Sequence, residues 1–352
     1  MKRLNVLFLP PLPSLAHPWQ DDVVRAIGDR HHLQVFDAAR PLQPQFSDIQ
    51  VVIDFGGSVG TRAMADVAGS VLLWQVLGNG IDHFDLEYFR SKRIQVANCP
   101  GENTAIPLAE AAIMFMLQLS RGWHEAERNV RRGVMYSPLG CELAGRTLGL
   151  LGFGATGRQL AHRARAFDMN VIAVDKRRVG TAEKRKFGVT RVLSPESLDE
   201  MLGESDYVSV HLHLTPETRH IMNAERLAAM KRGSFLINVS RGALVDERAL
   251  AEALASGHLA GAGLDVFAEE PPSPQSPLLA MDNVMATPHI AGLTSGTSRR
   301  RAEFAALNVN RVAEGIEPLG LIDKRADVAV FTNMSDLLPP DPSSRQDRSD
   351  LG

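Results

Sequence analysis

The stretch from Leu148 to Asp175, LGLLGFGATGRQLAHRARAFDMNVIAVD, restricts what this chain can fold into more than any other. Leu148, Leu150 and Leu151 form a short apolar run that reads as a buried strand. Gly152, Gly154 and Gly157 follow it in the spacing G-x-G-x-x-G. From Arg158 to Phe167 the residues Leu160, Ala161, Ala164 and Phe167 fall on one helical face. A second strand, Asn170 to Val174, ends at Asp175, eighteen residues after the third glycine. Glycines alone are a weak signal. Strand, glycine turn, helix and an acid about 20 residues on together describe a dinucleotide-binding unit. Gly152 allows the tight turn, Gly154 lets the backbone approach a pyrophosphate, and Gly157 lets the helix pack on the strand. The free N–H groups and positive end of the helix face the phosphates. Asp175 is placed to accept hydrogen bonds from the adenosine ribose hydroxyls.

The rest of the chain repeats the same rhythm. In the first hundred residues, Val6–Leu9, Leu33–Phe36, Val51–Phe55, Val71–Val76 and Ile94–Ala97 read as strands. Gln20–Arg30, Thr61–Ala68 and Phe84–Ser91 read as helices, which predicts a small parallel sheet with helices on both faces. A long helix begins near Thr104. Its segment Ala109–Leu119 is apolar nearly all round, which suits burial between domains or in a subunit contact. The polar, basic run Arg121–Arg132 reads as a solvated face. From Leu148 onward strands are expected at 148–151, 170–174, 207–212, 234–239, 260–266 and 283–287, the size of a complete doubly wound sheet. An amphipathic helix, Ser298–Gly315, follows, and the segment from Thr332 lacks apolar periodicity and reads as a disordered tail.

At 352 residues the chain has length for two domains. Its charge of −3 argues against a broad nucleic-acid partner. No stretch reaches the ~18 apolar residues of a membrane span. Prolines 10, 11 and 13 break the apolar N-terminus, which therefore suits a first strand better than a signal peptide. Two cysteines, Cys99 and Cys141, give no disulfide framework and point to a reducing cytoplasm. No His or Cys spacing suggests a metal site.

Three strand ends carry candidate chemistry: Asn238-Val239-Ser240-Arg241-Gly242, Gly263-Leu264-Asp265-Val266-Phe267-Ala268-Glu269-Glu270-Pro271, and Ala286-Thr287-Pro288-His289-Ile290-Ala291-Gly292. In a parallel sheet all three emerge on the edge that carries the glycine turn. The planar fork of Arg241 suits the carboxylate and carbonyl oxygen of a 2-oxo acid. His289 is placed to give that oxygen a proton while hydride reaches carbon, and a nearby carboxylate would raise the histidine pKa. The expected cofactor-binding set, which beyond the glycine turn and Asp175 is in part implied only by the family resemblance that follows, is Gly152, Gly154, Ala155, Thr156, Gly157, Asp175, His211, Thr215, Val239, Ser240, Arg241, Asp265, His289 and Gly292. The loop Leu77-Gly78-Asn79-Gly80-Ile81-Asp82 is a second ligand-binding candidate, at the end of the fourth strand. Cys99 reads as a packed thiol.

In LGNGIDHFD, VANCPGENTAIPLAEAA, LGLLGFGATG, VHLHLTPETR, INVSRGALVDE, GAGLDVFAEEPP and ATPHIAG the chain resembles the NAD-dependent D-isomer-specific 2-hydroxyacid dehydrogenases. The resemblance runs from about Val76 to Gly292. It implies an α/β fold of two doubly wound parallel-sheet domains, a Rossmann cofactor domain inserted into a flavodoxin-like substrate domain. Residues 1–103 plus 291–330 would form the substrate (catalytic) domain, 104–290 the NAD-binding domain, and 331–352 the tail, with no room for an added regulatory domain. Arg241 would anchor the substrate carboxylate and His289 act as general acid/base. Glu270, the acid directly before the proline, would pair with that histidine, and Asp265 would touch the nicotinamide carboxamide. The backbone of Gly78, Asn79 and Gly80 would hold the substrate. The long helix near Thr104 would contribute to a homodimer.

His213 stands where the family usually has proline, and Cys99 and Glu102 depart from its commonest residues near the hinge. Related formate dehydrogenases pair the histidine with glutamine, so Glu270 argues against that activity. The implied reaction is reversible reduction of a 2-oxo acid to its D-2-hydroxy acid. Asp175 favours NAD over NADP, although Lys176, Arg177 and Arg178 follow it directly. The alternative is a dimeric NAD(H)-sensing binding protein on the same scaffold, resembling the corepressors that use it for protein recognition.

Overall fold

The computed structural model describes residues 2–10, 16–56, 60–81 and 84–322. The chain divides into two compact units. One comprises Met1–Pro10, Ile27–Glu102 and Ala305–Gly352; the other comprises Pro11–Ala26 and Asn103–Phe304.

The first unit holds strands β1 (Asn5–Leu9), β2 (His32–Val35), β3 (Val51–Asp54), β4 (Leu73–Val76) and β5 (Gln95–Asn98). All pair in parallel in the order β2-β1-β3-β4-β5, the flavodoxin-like arrangement. Every residue of β3 and β4 is buried, as expected for a parallel sheet covered on both faces. Trp74 of β4 packs against Phe46, Phe84 and Phe89, and its indole N–H donates to the buried Asp54 carboxylate at 3.0 Å. The unit closes with residues from far along the chain. Asn308 donates to Gln75 of β4 at 2.6 Å and accepts from the Leu319 N–H at 2.8 Å. The Asn98 N–H donates to the Gly320 carbonyl.

The second unit holds β6 (Thr147–Leu151), β7 (Asn170–Val174), β8 (Arg191–Leu193), β9 (Tyr207–Val210), β10 (Phe235–Asn238), β11 (Gly261–Leu264) and β12 (Val284–Ala286). Their order, β12-β11-β10-β9-β6-β7-β8, is the doubly wound dinucleotide arrangement extended by one strand. One apolar layer contains Met201, Leu202, Leu227, Leu250 and Leu254 from the helices 198–204, 224–229 and 247–255. The other contains Phe115 and Met116 of the helix Glu102–Ser120 with Leu160, Ala161 and Ala164 of Ala155–Ala164. The long helix lies so close to β11 that a Cβ on Gly263 would meet the Phe115 side chain at 2.6 Å. Its opposite side leaves Ile106 and Met114 exposed.

The expected segments are shifted in two places. Residues 16–26 and 291–304 were expected in the substrate domain but pack with the second unit. Ser298 donates to Asp22 at 2.6 Å, and the Arg300 guanidinium donates to the Asn103 carbonyl at 2.9 Å. Residues 323–330 and the expected tail 331–352 lie outside the described residues. Three elements were not anticipated: β8, the short helix Leu42–Phe46, and a helix at Trp123–Arg131 within the polar run. That last helix has no buried residue within the single chain.

Candidate active site

The glycine turn is built as its spacing requires. Gly152 has φ +103°, and a Cβ there would lie 2.5 Å from the His211 carbonyl oxygen. A Cβ on Gly157 would lie 2.3 Å from the Gly152 carbonyl oxygen, so only glycine lets the helix start this near the strand. Gly154 differs, for a Cβ there would meet nothing of this chain. The open space ahead of Gly154, at the start of the helix Ala155–Ala164, fits a pyrophosphate. Asp175 ends β7 and accepts from the Phe153 N–H at 2.7 Å and the Arg177 N–H at 2.8 Å. These residues fit a dinucleotide.

Because all seven strands run parallel, the loops after β6, β7, β9, β10, β11 and β12 share one sheet edge. On it the His289 Nδ1 meets the Glu270 Oε2 at 2.7 Å, with both side chains partly exposed. Burial alone would push the Glu270 carboxyl up. The hydrogen bonds from His289 and the Phe267 N–H, with the charges of His289 and Arg241, outweigh it and hold the group below its ordinary value. Arg241 is brought to this pair by Gly242. A Cβ on that glycine would fall 1.8 Å from the Phe267 carbonyl carbon, so the loop after β10 lies directly on the loop carrying Glu270. The buried Asn238 fixes the turn, donating to the Arg241 carbonyl and accepting from the Ser240 N–H. Ser240 in turn donates to the Val210 carbonyl at 2.6 Å.

His289 has φ +54°, a left-handed conformation uncommon for residues with a Cβ. Asp265, buried at the end of β11, holds it there. One carboxylate oxygen accepts from the Thr287 hydroxyl at 2.6 Å and the Ile290 N–H at 2.8 Å; the other accepts from the Ala291 N–H at 2.9 Å. The Asp265 carbonyl accepts from the His289 N–H at 2.8 Å. An arginine, a carboxylate-paired imidazole and a dinucleotide turn on one edge form a set able to bind an oxo acid and exchange a proton with it. Residues 113–291 match the family model described as the D-isomer specific 2-hydroxyacid dehydrogenase NAD-binding domain, which is half of the chain.

The chain belongs to this family. D-3-Phosphoglycerate dehydrogenase of Methanocaldococcus jannaschii is 33% identical over 85% of this chain and 56% of its own length. This chain therefore spans little more than half of that relative. Glyoxylate reductase of Korarchaeum cryptofilum is 40% identical over 70% of this chain and 74% of its own. Among solved structures, the D-lactate dehydrogenase from Aquifex aeolicus, complexed with NAD and lactic acid, superposes with a TM-score of 0.73. It is 29% identical over 88% of this chain and 96% of its own.

Of the remaining expected residues, His211 follows β9 with its Nε2 2.9 Å from the Ser209 hydroxyl, while its buried Nδ1 has no hydrogen-bond partner among the described residues. Thr215 lies on the exposed loop beyond, paired with Thr218, and His213 is exposed there too, its carbonyl accepting from the Thr218 hydroxyl. Val239 is buried beneath Ser240, and Gly292 lies against Leu108 and Thr104. Gly78, Asn79 and Gly80 belong to the first unit, where Cys99 donates to the Gly78 carbonyl and the buried Asn98 to that of Asn79. Asp82, the last residue of the expected loop, is outside the described residues. Sequence reasoning missed Asn238, Thr287 and the reason for Gly242. Asn and Gly flanking the arginine were visible, but their partners lie on other strands.

Proposed function

We propose that the protein catalyses reversible oxidation of a D-2-hydroxy acid to its 2-oxo acid with NAD(H), the nucleotide carrying the hydride. The Glu270–His289 pair on the same sheet edge as the glycine turn and Arg241 carries this reading. Arg241 offers two parallel donors to the substrate's carboxylate and carbonyl oxygen. Glu270 orients the imidazole through Nδ1, so Nε2 is the atom that gives the carbonyl oxygen its proton or takes one from the hydroxyl. Asp265 keeps the histidine in its left-handed turn, and Asp175 favours NAD over NADP. On the resemblance alone, the backbone N–H groups of Gly78, Asn79 and Gly80 contribute to substrate recognition.

The test is NADH consumption by the purified protein with glyoxylate, hydroxypyruvate, pyruvate, phenylpyruvate and branched-chain oxo acids. Turnover of one or two fixes the reaction and sizes the side-chain pocket. NADH binding with no turnover on any of them would favour the nucleotide-sensing alternative instead.

The same reading includes a homodimer. Trp123, Val130, Val134, Met135, Tyr136 and Leu139 are exposed on the segment after the long helix. Ile113, Met114 and Leu117 of that helix line a groove of about 530 Å³ together with Trp123. An exposed apolar surface of this kind marks an interface, and a two-fold pairing would serve both copies with one patch.

A further inference from the structure

The ribose end of the dinucleotide site contains more charge than one acid. Asp175 is followed by Lys176, Arg177 and Arg178, a run that taken alone suits a ribose 2′-phosphate. The structure shows what becomes of its middle member. The Arg177 main-chain N–H is held by Asp175, and its side chain turns back onto the glycine loop, donating to the Phe153 carbonyl at 3.2 Å. There its guanidinium meets both carboxylate oxygens of Glu183 at 3.0 Å, a bidentate pair. Arg158, on the glycine-turn helix, reaches the same carboxylate at 3.3 Å while lying over the Phe187 ring. Glu183 therefore accepts from two arginines that flank the glycine turn. The pairing holds its carboxyl below its ordinary value and raises that of Arg177. Across the edge, Glu217 lies near Lys176. Arg178 is exposed and makes no hydrogen bond or ion pair among the described residues.

We infer that Glu183 is a specificity-determining residue for the cofactor: it sequesters Arg177 and Arg158, so that the chain discriminates against a 2′-phosphate although it carries the cations to bind one. This rests on the reading of the glycine turn and Asp175 as an NAD(H) site. Asp175 repels the phosphate directly, whereas Glu183 acts through the arginines and so is a positioning residue. The physical argument is one of competition. A guanidinium bound bidentately to a carboxylate must give up two charge-assisted hydrogen bonds before it can serve a phosphate. Replacing that carboxylate by an amide weakens both bonds and leaves the arginine charge uncompensated beside the ribose.

The test is binding rather than turnover: fluorescence titration of the full chain with NADH and with NADPH, for the wild type, Glu183→Gln, Glu183→Gln with Arg177→Ala, and Asp175→Asn. Thermal unfolding confirms that each variant is folded. The wild type is expected to bind NADH the more tightly. Glu183→Gln should narrow the NADH/NADPH ratio of Kd values by roughly five- to twentyfold, through tighter NADPH binding. Removing Arg177 as well should abolish most of that gain, and added salt should shrink it. A merely structural Glu183 would weaken both nucleotides alike and leave the ratio unchanged, which overturns the inference. So would a gain that survives loss of Arg177 and, in a further variant, of Arg158 as well. If the wild type bound neither nucleotide, the NAD(H) reading itself would fall; NADH binding with an unmoved ratio defeats only the role of Glu183. Asp175→Asn sets the scale for direct repulsion.

Discussion

His289 combines an unusual backbone with a short bond to a carboxylate, and each has a separable consequence. Replacing it by asparagine removes the proton-transferring nitrogen while keeping a residue type that tolerates a left-handed φ. His289→Asn should therefore lower kcat by roughly 10²–10⁴ and leave the Kd for NADH close to that of the wild type. Steady-state kinetics beside a fluorescence titration measures both, and an unchanged rate would assign the proton to another group. His211 makes a different prediction. Burial pushes its ring from 6.5 down to about 3, so it stays neutral in the fold across the range where an unfolded chain would protonate it. The unfolded state then binds the extra proton, and stability declines as pH falls from about 6.5 towards 3. Thermal midpoints measured from pH 7 to pH 4 should fall more steeply for the wild type than for His211→Gln. Equal slopes would show that the ring is not held neutral.

The elements around the site show where sequence sufficed and where it did not. The β6–helix–β7 unit was legible because its spacing is local: strand, three glycines, helix and Asp175 lie within 28 residues. The strand ends bearing Arg241, Glu270 and His289 were legible because each follows an apolar run, and a parallel sheet puts them on one edge. Their locks were not. Asp265 bonds residues 22 to 26 positions away, and Gly242 is required by a loop some 25 residues on, so neither has a local signature. β8 was missed because three partly exposed residues beginning with arginine carry no apolar pattern. The Gly242 contact yields a firm expectation, since the atoms a Cβ would strike are backbone and cannot rotate away. Gly242→Ala should cost at least about 1–3 kcal/mol of stability and lower kcat/KM by separating Arg241 from Glu270. Denaturation and initial rates check this; a fully active, equally stable variant would mean the two loops part freely.

At the scale of the whole molecule, the exposed apolar segment after the long helix should govern association. Tyr136→Asp combined with Leu139→Asp places two charges on side chains that are fully exposed in the single chain, so the fold should be unharmed. Light scattering is expected to give twice the chain mass for the wild type and a shift towards the single-chain mass for the variant. An unchanged mass would move the interface elsewhere. The discontinuity of the first unit bears on how the protein is made. Its sheet is complete by Asn98, yet the partners of Gln75 and of the β5 edge are Asn308, Gly320 and Leu321. On a ribosome adding about 5–20 residues per second, the intervening 200 or so residues take roughly 10–40 s to appear. During that interval the first sheet waits with the buried Gln75 side-chain carbonyl oxygen lacking its Asn308 donor and one strand edge uncovered, the kind of edge that recruits other chains. The nascent chain is thus most exposed to misassembly in the portion synthesised first.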